Sequence, residues 1–368
     1  MVLTLIVFLF ILSVLIIAHE LGHFLVARRM GIRIEEFGVG YPPRLWSKKI
    51  NQTVYSLNLL PLGGFVRLYG EEGPQKREKK ENAFWAKSKK ARSAVIVAGV
   101  LANFLLAVVV FSLVYSVVGI PTQSNQIMVL GVAPGSPAEA VGLKEEDVVV
   151  GVENQSVSQV GRFVEIVNQH QGEEIDLQVN REGEELVFTL APRQNPPEGE
   201  GALGVVVSNL KMVHYPLWQM PFRGAVEGVK EAFGWATLVL GGLGGIFYRL
   251  VTTGAVSEEV AGPVGILQLT GNVARSGPLM VLQFMGMLSI NLMVINILPF
   301  PALDGGRLLF IGIEAVTGRR PKASFERWTH AIGMIILLLF LLLVTINDLA
   351  RVLTSTGLLS RLRLIFPF

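Results

Sequence analysis

Long apolar runs separated by two kinds of polar segment dominate this chain, and they set its architecture. A helix needs about 20 mostly apolar residues to cross roughly 30 Å of hydrocarbon. Val2 to Ala27 and Ala94 to Val118 meet that length plainly; the first is apolar except for a cluster near its end, and the second is interrupted only by Asn103 and two serines. Leu279 to Phe300 is long enough but carries Gln283, Asn291 and Asn296, while Ala331 to Ile346 is shorter and almost purely Leu, Ile, Val and Phe. These four runs are read as membrane spans. The first lacks a basic leader and a small-residue cleavage site, so it is read as retained and not as a signal peptide. A fifth run, Ala232 to Val251, is glycine-rich and only moderately apolar, and is read as interfacial.

Between the second and third spans the pattern becomes that of a small soluble domain. A strand-like run enters a Pro-Gly-Ser turn, and a short helix follows with Ser136 as N-cap and Gly142 as its stop. Asp147 to Val152 reads as a strand and Arg162 to His170 as a helix, while Ile175 to Val179 and Leu186 to Leu190 read as a hairpin. The domain is bounded at its end by the Pro/Gly/Glu stretch Pro192 to Gly201. A second β signal, Thr53 to Tyr69, has two β-prone runs around Pro-Leu-Gly-Gly and predicts a hairpin in an unusually apolar loop. The expected organisation is a first half-core over 1–118, an inserted α+β domain over 119–205, a linker with interfacial helices over 206–278, and a second half-core over 279–368.

Composition agrees with burial in lipid: 51% hydrophobic and 17% charged residues exclude both a wholly soluble and a disordered chain. Cysteine is absent, which excludes disulfides, thiolate metal sites and thiol nucleophiles. Charge is uneven. The loop Arg28 to Ser93 holds 15 Lys/Arg, eight of them from Lys76 to Arg92, whereas Gly119 to Arg223 holds six over a greater length. By the positive-inside rule the first loop is cytoplasmic and the inserted domain is outside; Arg361 and Arg363 in the tail run mildly against this. No motif for nucleic acid appears.

The chemistry lies in His19-Glu20-Leu21-Gly22-His23. Residues four apart on a helix stack on one face, so both imidazoles can face one metal ion while Glu20 points at the water it binds. A chain of this composition would contain the pattern about 0.005 times by chance. Ionisable groups inside a span are costly and by default functional. Catalytic zinc usually takes three protein ligands, and with no cysteine the third must be Asp, Glu or another His. Asp304, in Pro299-Phe-Pro-Ala-Leu-Asp-Gly-Gly-Arg307, is the candidate, since it follows the third span at the face where His19 lies, about 26 Å along the first helix. That placement requires the fifth run not to cross the bilayer. Otherwise Asp304 is a turn or capping residue. His170, His214 and His330 carry no such signal.

One bound zinc with Glu20 as base predicts peptide hydrolysis at membrane depth, on transmembrane helices that must unwind before attack. The apolar hairpin can hold the unwound strand at its edge, with Leu57, Asn58, Leu59, Gly63 and Gly64 as candidate contacts, and the amides of Asn291 and Asn296 can bond exposed backbone. The alternatives are a catalytically inactive scaffold that binds tails through its inserted domain and a transporter, which would need inverted repeats of broken helices that the sequence does not display.

His19 to His23, Phe37-Gly-Val-Gly40, Leu59-Leu-Pro-Leu-Gly-Gly-Phe65 and Asn291 to Arg307 together resemble the site-2 protease family of intramembrane zinc metalloproteases, in its bacterial sigma-E-regulating type. The resemblance implies a multi-pass α-helical inner-membrane protein with four transmembrane helices and a membrane-associated β-hairpin. It implies His19, His23 and Asp304 as zinc ligands, Glu20 as base, Asn291 and Asn296 as substrate-positioning residues, and an active site near the cytoplasmic face. Val129 to Val152 is similar to a PDZ domain, here single and extracytoplasmic, whose family role is to gate access and which can take a peptide ligand. The implied substrates are transmembrane proteins such as pre-cleaved anti-sigma factors or signal-peptide remnants.

Overall fold

The computed structural model describes residues 2–71, 80–197, 199–253 and 262–355. Lys76, Arg77 and Lys79 of the basic stretch, and Arg361 and Arg363, lie outside them. The chain opens with α1 (Val2–Arg29), β1 (Ile34–Ile50), β2 (Thr53–Leu68) and α2 (Lys89–Val118). It continues through β3 (Ile120–Val132), α3 (Pro137–Ala140), β4 (Val148–Val152), β5 (Gln155–Ser156), α4 (Val160–Gln169), β6 (Ile175–Arg181), β7 (Glu184–Leu190) and β8 (Val205–Val213). It closes with α5 (Met220–Thr253), α6 (Pro263–Arg275), α7 (Pro278–Ile297), α8 (Asp304–Thr317) and α9 (Ala323–Ser355). Two compact units result, one of residues 1–115 with 221–368 and one of Ser116–Met220.

In the larger unit, four helices among the described residues are long and apolar enough to cross a membrane: Val2–Arg29, Lys89–Val118, Pro278–Ile297 and Ala323–Arg351. They contain the first, second and fourth predicted runs, the fourth extended well beyond its apolar centre; the third run stops short, since α7 ends at Ile297 and Leu298 to Phe300 belong to the following loop, and α5 is not among the four. Ile11 and Leu15 of α1 pack with Val110 of α2 and Met285 of α7, while Ala232 and Ala236 of α5 pack with Ala107 and Phe111 of α2 and Ile290 and Val294 of α7. Small residues let α1 and α2 approach closely: a Cβ on Gly22 would collide with the carbonyl of Ala98 and stand 2.8 Å from the Ala102 methyl. Close backbone approach through small side chains is how helices associate where no water is displaced.

The hairpin differs from its expectation. Its turn is Asn51-Gln52, and β2 runs unbroken through Pro61-Leu-Gly-Gly64 to Leu68. Asn51 takes the left-handed conformation (φ 54°) that a two-residue hairpin loop demands and that Asn tolerates. Residues 36–39 face both 64–67 and 54–57, and 46–50 face 53–57, so the two antiparallel strands bend into four paired segments in the order 64–68, 34–39, 53–57, 46–50. Buried polar groups fix the bends. Ser56 Oγ donates to Glu36 Oε1 at 2.7 Å, Arg44 donates to the same oxygen at 2.5 Å, and Asn58 Nδ2 donates to the Gly40 carbonyl at 3.0 Å. The apolar face of the hairpin, with Ile34, Phe37, Tyr55 and Leu68, packs on Phe24 and Ala27 of α1, Val95 and Ile96 of α2 and Ile311 of α8.

The smaller unit is a sheet of order β7-β6-β4-β3-β8 with β5 on β4, wrapped around a core that includes Ile127, Val149, Phe163, Ile166, Ile175 and Leu177. Ser136 caps α3 by accepting the Glu139 amide, and Gly142 follows at φ +81°. The expected boundary at 205 is too early. β8, assigned from sequence to a linker, pairs with β3 from Ile120↔Val213 to Val132↔Val205. The stretch after Pro192 is not a free tether either: the Arg193 amide donates to the Ala202 carbonyl, and Arg193 pairs with Glu200.

Candidate metal centre

The last turns of α1 carry His19, Glu20 and His23, and α8 begins on Asp304. Among the described residues, His19, His23 and Asp304 form the one group of three such side chains whose ligand atoms all lie within 4.8 Å of one another. The atoms make a nearly equilateral triangle. His19 Nε2 lies 3.1 Å from His23 Nε2, and Asp304 Oδ2 lies 3.0 Å from the first and 3.2 Å from the second. Ligands about 2.0–2.1 Å from a tetrahedral zinc ion stand roughly 3.3 Å apart, so two nitrogens and one carboxylate oxygen at this spacing fit that ion. Among the described residues Asp304 Oδ2 is buried and accepts no hydrogen bond, a lone pair available to a cation.

Neighbours fix the rings. His23 Nδ1 donates to the Val95 carbonyl of α2 at 2.8 Å, which leaves Nε2 as the metal-facing lone pair. His19 Nδ1 lies 3.3 Å from Nδ2 of the fully buried Asn103 amide, whose Oδ1 has no partner among the described residues. A histidine that ligates through Nε2 carries its proton on Nδ1, so Oδ1 is the amide atom that belongs opposite it. Ser289 Oγ donates to the Asn103 carbonyl at 2.8 Å and ties α7 to the same point of α2. Gly99 lies directly over both rings: a Cβ there would stand 2.9 Å from His19 Cε1 and collide with His23 Nε2. Glu20 lies toward the hairpin, where a Cβ on Gly64 would come 3.6 Å from Glu20 Cγ.

The peptidase family M50 pattern matches residues 7–340. The chain belongs to this family, the site-2 proteases. It is 32% identical to zinc metalloprotease RasP of Geobacillus kaustophilus (strain HTA426), over 94% of this chain and 97% of that protein. To zinc metalloprotease RasP of Oceanobacillus iheyensis it is 28% identical, over 95% of this chain and 99% of that protein. To the regulator of sigma-W protease RasP of Bacillus subtilis (strain 168) it is 29% identical, over 95% and 98%. This M50 peptidase is a membrane zinc metalloprotease.

The remaining predicted residues of the M50 chain divide. Asn291 and Asn296 on α7 are partly exposed, and neither amide is hydrogen-bonded to the protein among the described residues. Leu57 and Leu59 are about half exposed, whereas Gly63 and Gly64 are buried. Asn58 is buried and its amide is committed to its own hairpin, to Gly40 and Val39, so it braces the bend and is not free for a substrate. Gly99 and the carbonyl of Val95 were not legible as site residues, and Asn103 stood out only as a polar interruption of an apolar run. The small residues Ala98, Gly99 and Ala102 one turn apart were the available signal for where α2 touches α1.

Proposed function

We propose that this M50 protease cleaves peptide bonds within or beside transmembrane segments of other proteins, with His19, His23 and Asp304 holding one zinc ion and Glu20 acting as general base. The observation that carries this is the position of His19, Glu20 and His23 inside a 28-residue apolar helix, with the two histidine rings against Gly99 of α2. When bound, zinc acts as a Lewis acid and makes water acidic near neutral pH. Glu20, one residue from His19 and against the hairpin, takes the proton of the attacking water and returns it to the leaving amine. The imidazoles are kept in register by the Val95 carbonyl and Asn103.

A helical substrate keeps its carbonyls in its own hydrogen bonds and must be held extended to be cut. Segment 64–68 is an outer segment of the hairpin, and Gly64 at its start adjoins Glu20; an added strand there would be presented to the metal. The free amides of Asn291 and Asn296 would bond its exposed backbone. The basic loop between α1 and α2 supports, by the positive-inside rule, a centre near the cytoplasmic face and an extracytoplasmic inserted domain, whose PDZ-like fold would sort substrates by their outer parts. The Bacillus subtilis relative is named for regulating sigma-W, and trimmed membrane anti-sigma proteins are the corresponding substrate class here.

Cleavage of a purified single-span substrate in liposomes tests this. Replacing two residues near the cut by Gly or Pro is expected to speed cleavage, Leu or Ala there to slow it, and a zinc chelator to stop it. Cleavage of soluble unfolded protein at an equal rate would overturn the membrane-segment substrate class, and no cleavage in any lipid would favour the inactive scaffold.

A further inference from the structure

The geometry points to His330 of α9 as a positioning residue of the metal centre, one that holds the loop carrying Asp304 in the conformation that aims its carboxylate at the two histidines. This rests on the reading of Asp304 as a ligand. Four observations converge.

The loop between α7 and α8 is folded tightly on itself. Phe300 N donates to the Leu298 carbonyl at 2.7 Å, Leu303 N to Phe300 O at 3.2 Å and Gly306 N to Leu303 O at 3.1 Å. A Cβ on Gly305 would collide with the carbonyls of Ile297 and Leu298, so the start of α8 is pressed against the end of α7. Two residues before Asp304, Ala302 sits at φ +81°, a left-handed conformation unfavourable for a side-chain-bearing residue. Such a conformation persists only where the surroundings over-determine it.

His330 is the side chain that holds it. Its Nδ1 accepts the Ala302 amide at 2.9 Å, across 28 residues of sequence. Its neighbour one turn on, Gly333, lies under the same loop: a Cβ there would come 2.6 Å from the Pro301 carbonyl oxygen. The backbone of α9 is thus pressed on Pro301 while the ring caps Ala302. The ring also packs on Phe310 of α8, with centroids 5.6 Å apart.

A packing role alone does not explain a histidine. Its Nε2 is buried without a partner among the described residues, and an unsatisfied buried polar atom is a cost that Phe or Leu of similar size would remove. What the imidazole supplies and those residues cannot is an acceptor at the Nδ1 position. Asn supplies one at nearly the same place, through Oδ1; Gln carries its oxygen one bond farther out and cannot reach Ala302 without moving α9.

The test is zinc affinity by chelator competition, with kcat and KM on a single-span substrate, for full-length His330→Asn, His330→Gln and His330→Phe, beside Asp304→Asn. His330→Phe and His330→Gln are expected to weaken zinc binding about 10- to 100-fold and to lower kcat more than KM changes, and His330→Asn to stay within about threefold of wild type. Adding Ala302→Gly to His330→Phe is expected to recover part of the loss, since glycine takes φ +81° without strain. If His330→Phe does not fold, the comparison of Asn with Gln decides. Wild-type zinc affinity in His330→Gln, or equal losses in His330→Asn and His330→Gln, overturns the positioning role. Should Asp304→Asn itself keep wild-type affinity, the reading of the ligand set fails instead.

Discussion

Glu20→Gln is expected to leave zinc bound at wild-type affinity and to lower kcat on a single-span substrate by about 10²- to 10⁴-fold, the usual contribution of a positioned general base. The side chain shares a helix turn with both histidines but is not one of the three converging ligand atoms. Gln matches Glu in shape and hydrogen-bonding reach but cannot accept the proton, so folding and metal content should be preserved while turnover collapses. Zinc content and kcat measured on the same preparation check this. A Glu20→Gln protein that cuts at the wild-type rate would show that the base lies elsewhere.

Gly99→Ala is the second large effect, and it needs no change in any ligand. The added methyl would occupy space now filled by His23 Nε2 and would stand 2.9 Å from His19 Cε1. His23 cannot swing aside cheaply, because its Nδ1 is held by the Val95 carbonyl one turn earlier on the same helix. Retreat of α2 would relieve the clash only by breaking its close contact with α1, where Gly22 packs on the Ala98 carbonyl. The imidazoles must therefore leave their triangle with Asp304, and zinc affinity is expected to fall at least about tenfold, with helical content by circular dichroism unchanged. Gly99→Ala that binds zinc as tightly as wild type would show that α2 does not touch the metal face of α1.

What was legible in the sequence follows from how local each signal is. The five residues from His19 to His23 announce a metal pair because helix periodicity alone puts them on one face. Asp304 could be joined to them as a candidate because aspartate is rare here and four spans would bring it to the same membrane face as His19. The four long apolar helices were legible because their hydropathy is summed over many residues; the glycine-rich run became part of α5, which packs through Ala232 and Ala236 on α2 and α7.

Other features depend on contacts far apart in the chain. Pro61-Leu-Gly-Gly64 has the composition of a turn, yet there the strand bends across its partner, and the true turn was the less conspicuous Asn51-Gln52. β8 reads as a linker because its partner, β3, lies some 85 residues earlier, and only long-range pairing makes it a strand. Asn58 looked like a polar contact available to substrate, but its buried amide donates to the carbonyls of Val39 and Gly40 and is consumed by its own fold. His330 carried no signal at all, because its meaning depends on one strained amide 28 residues away.

The central claim is that two histidines of α1 and the first residue of α8 hold one zinc ion. Elemental analysis of wild-type and Asp304→Asn protein, after dialysis against a chelator that leaves the wild type loaded, tests it most directly. The account predicts one zinc per chain in the wild type and well below one in Asp304→Asn, with both proteins folded; full zinc in Asp304→Asn would contradict it.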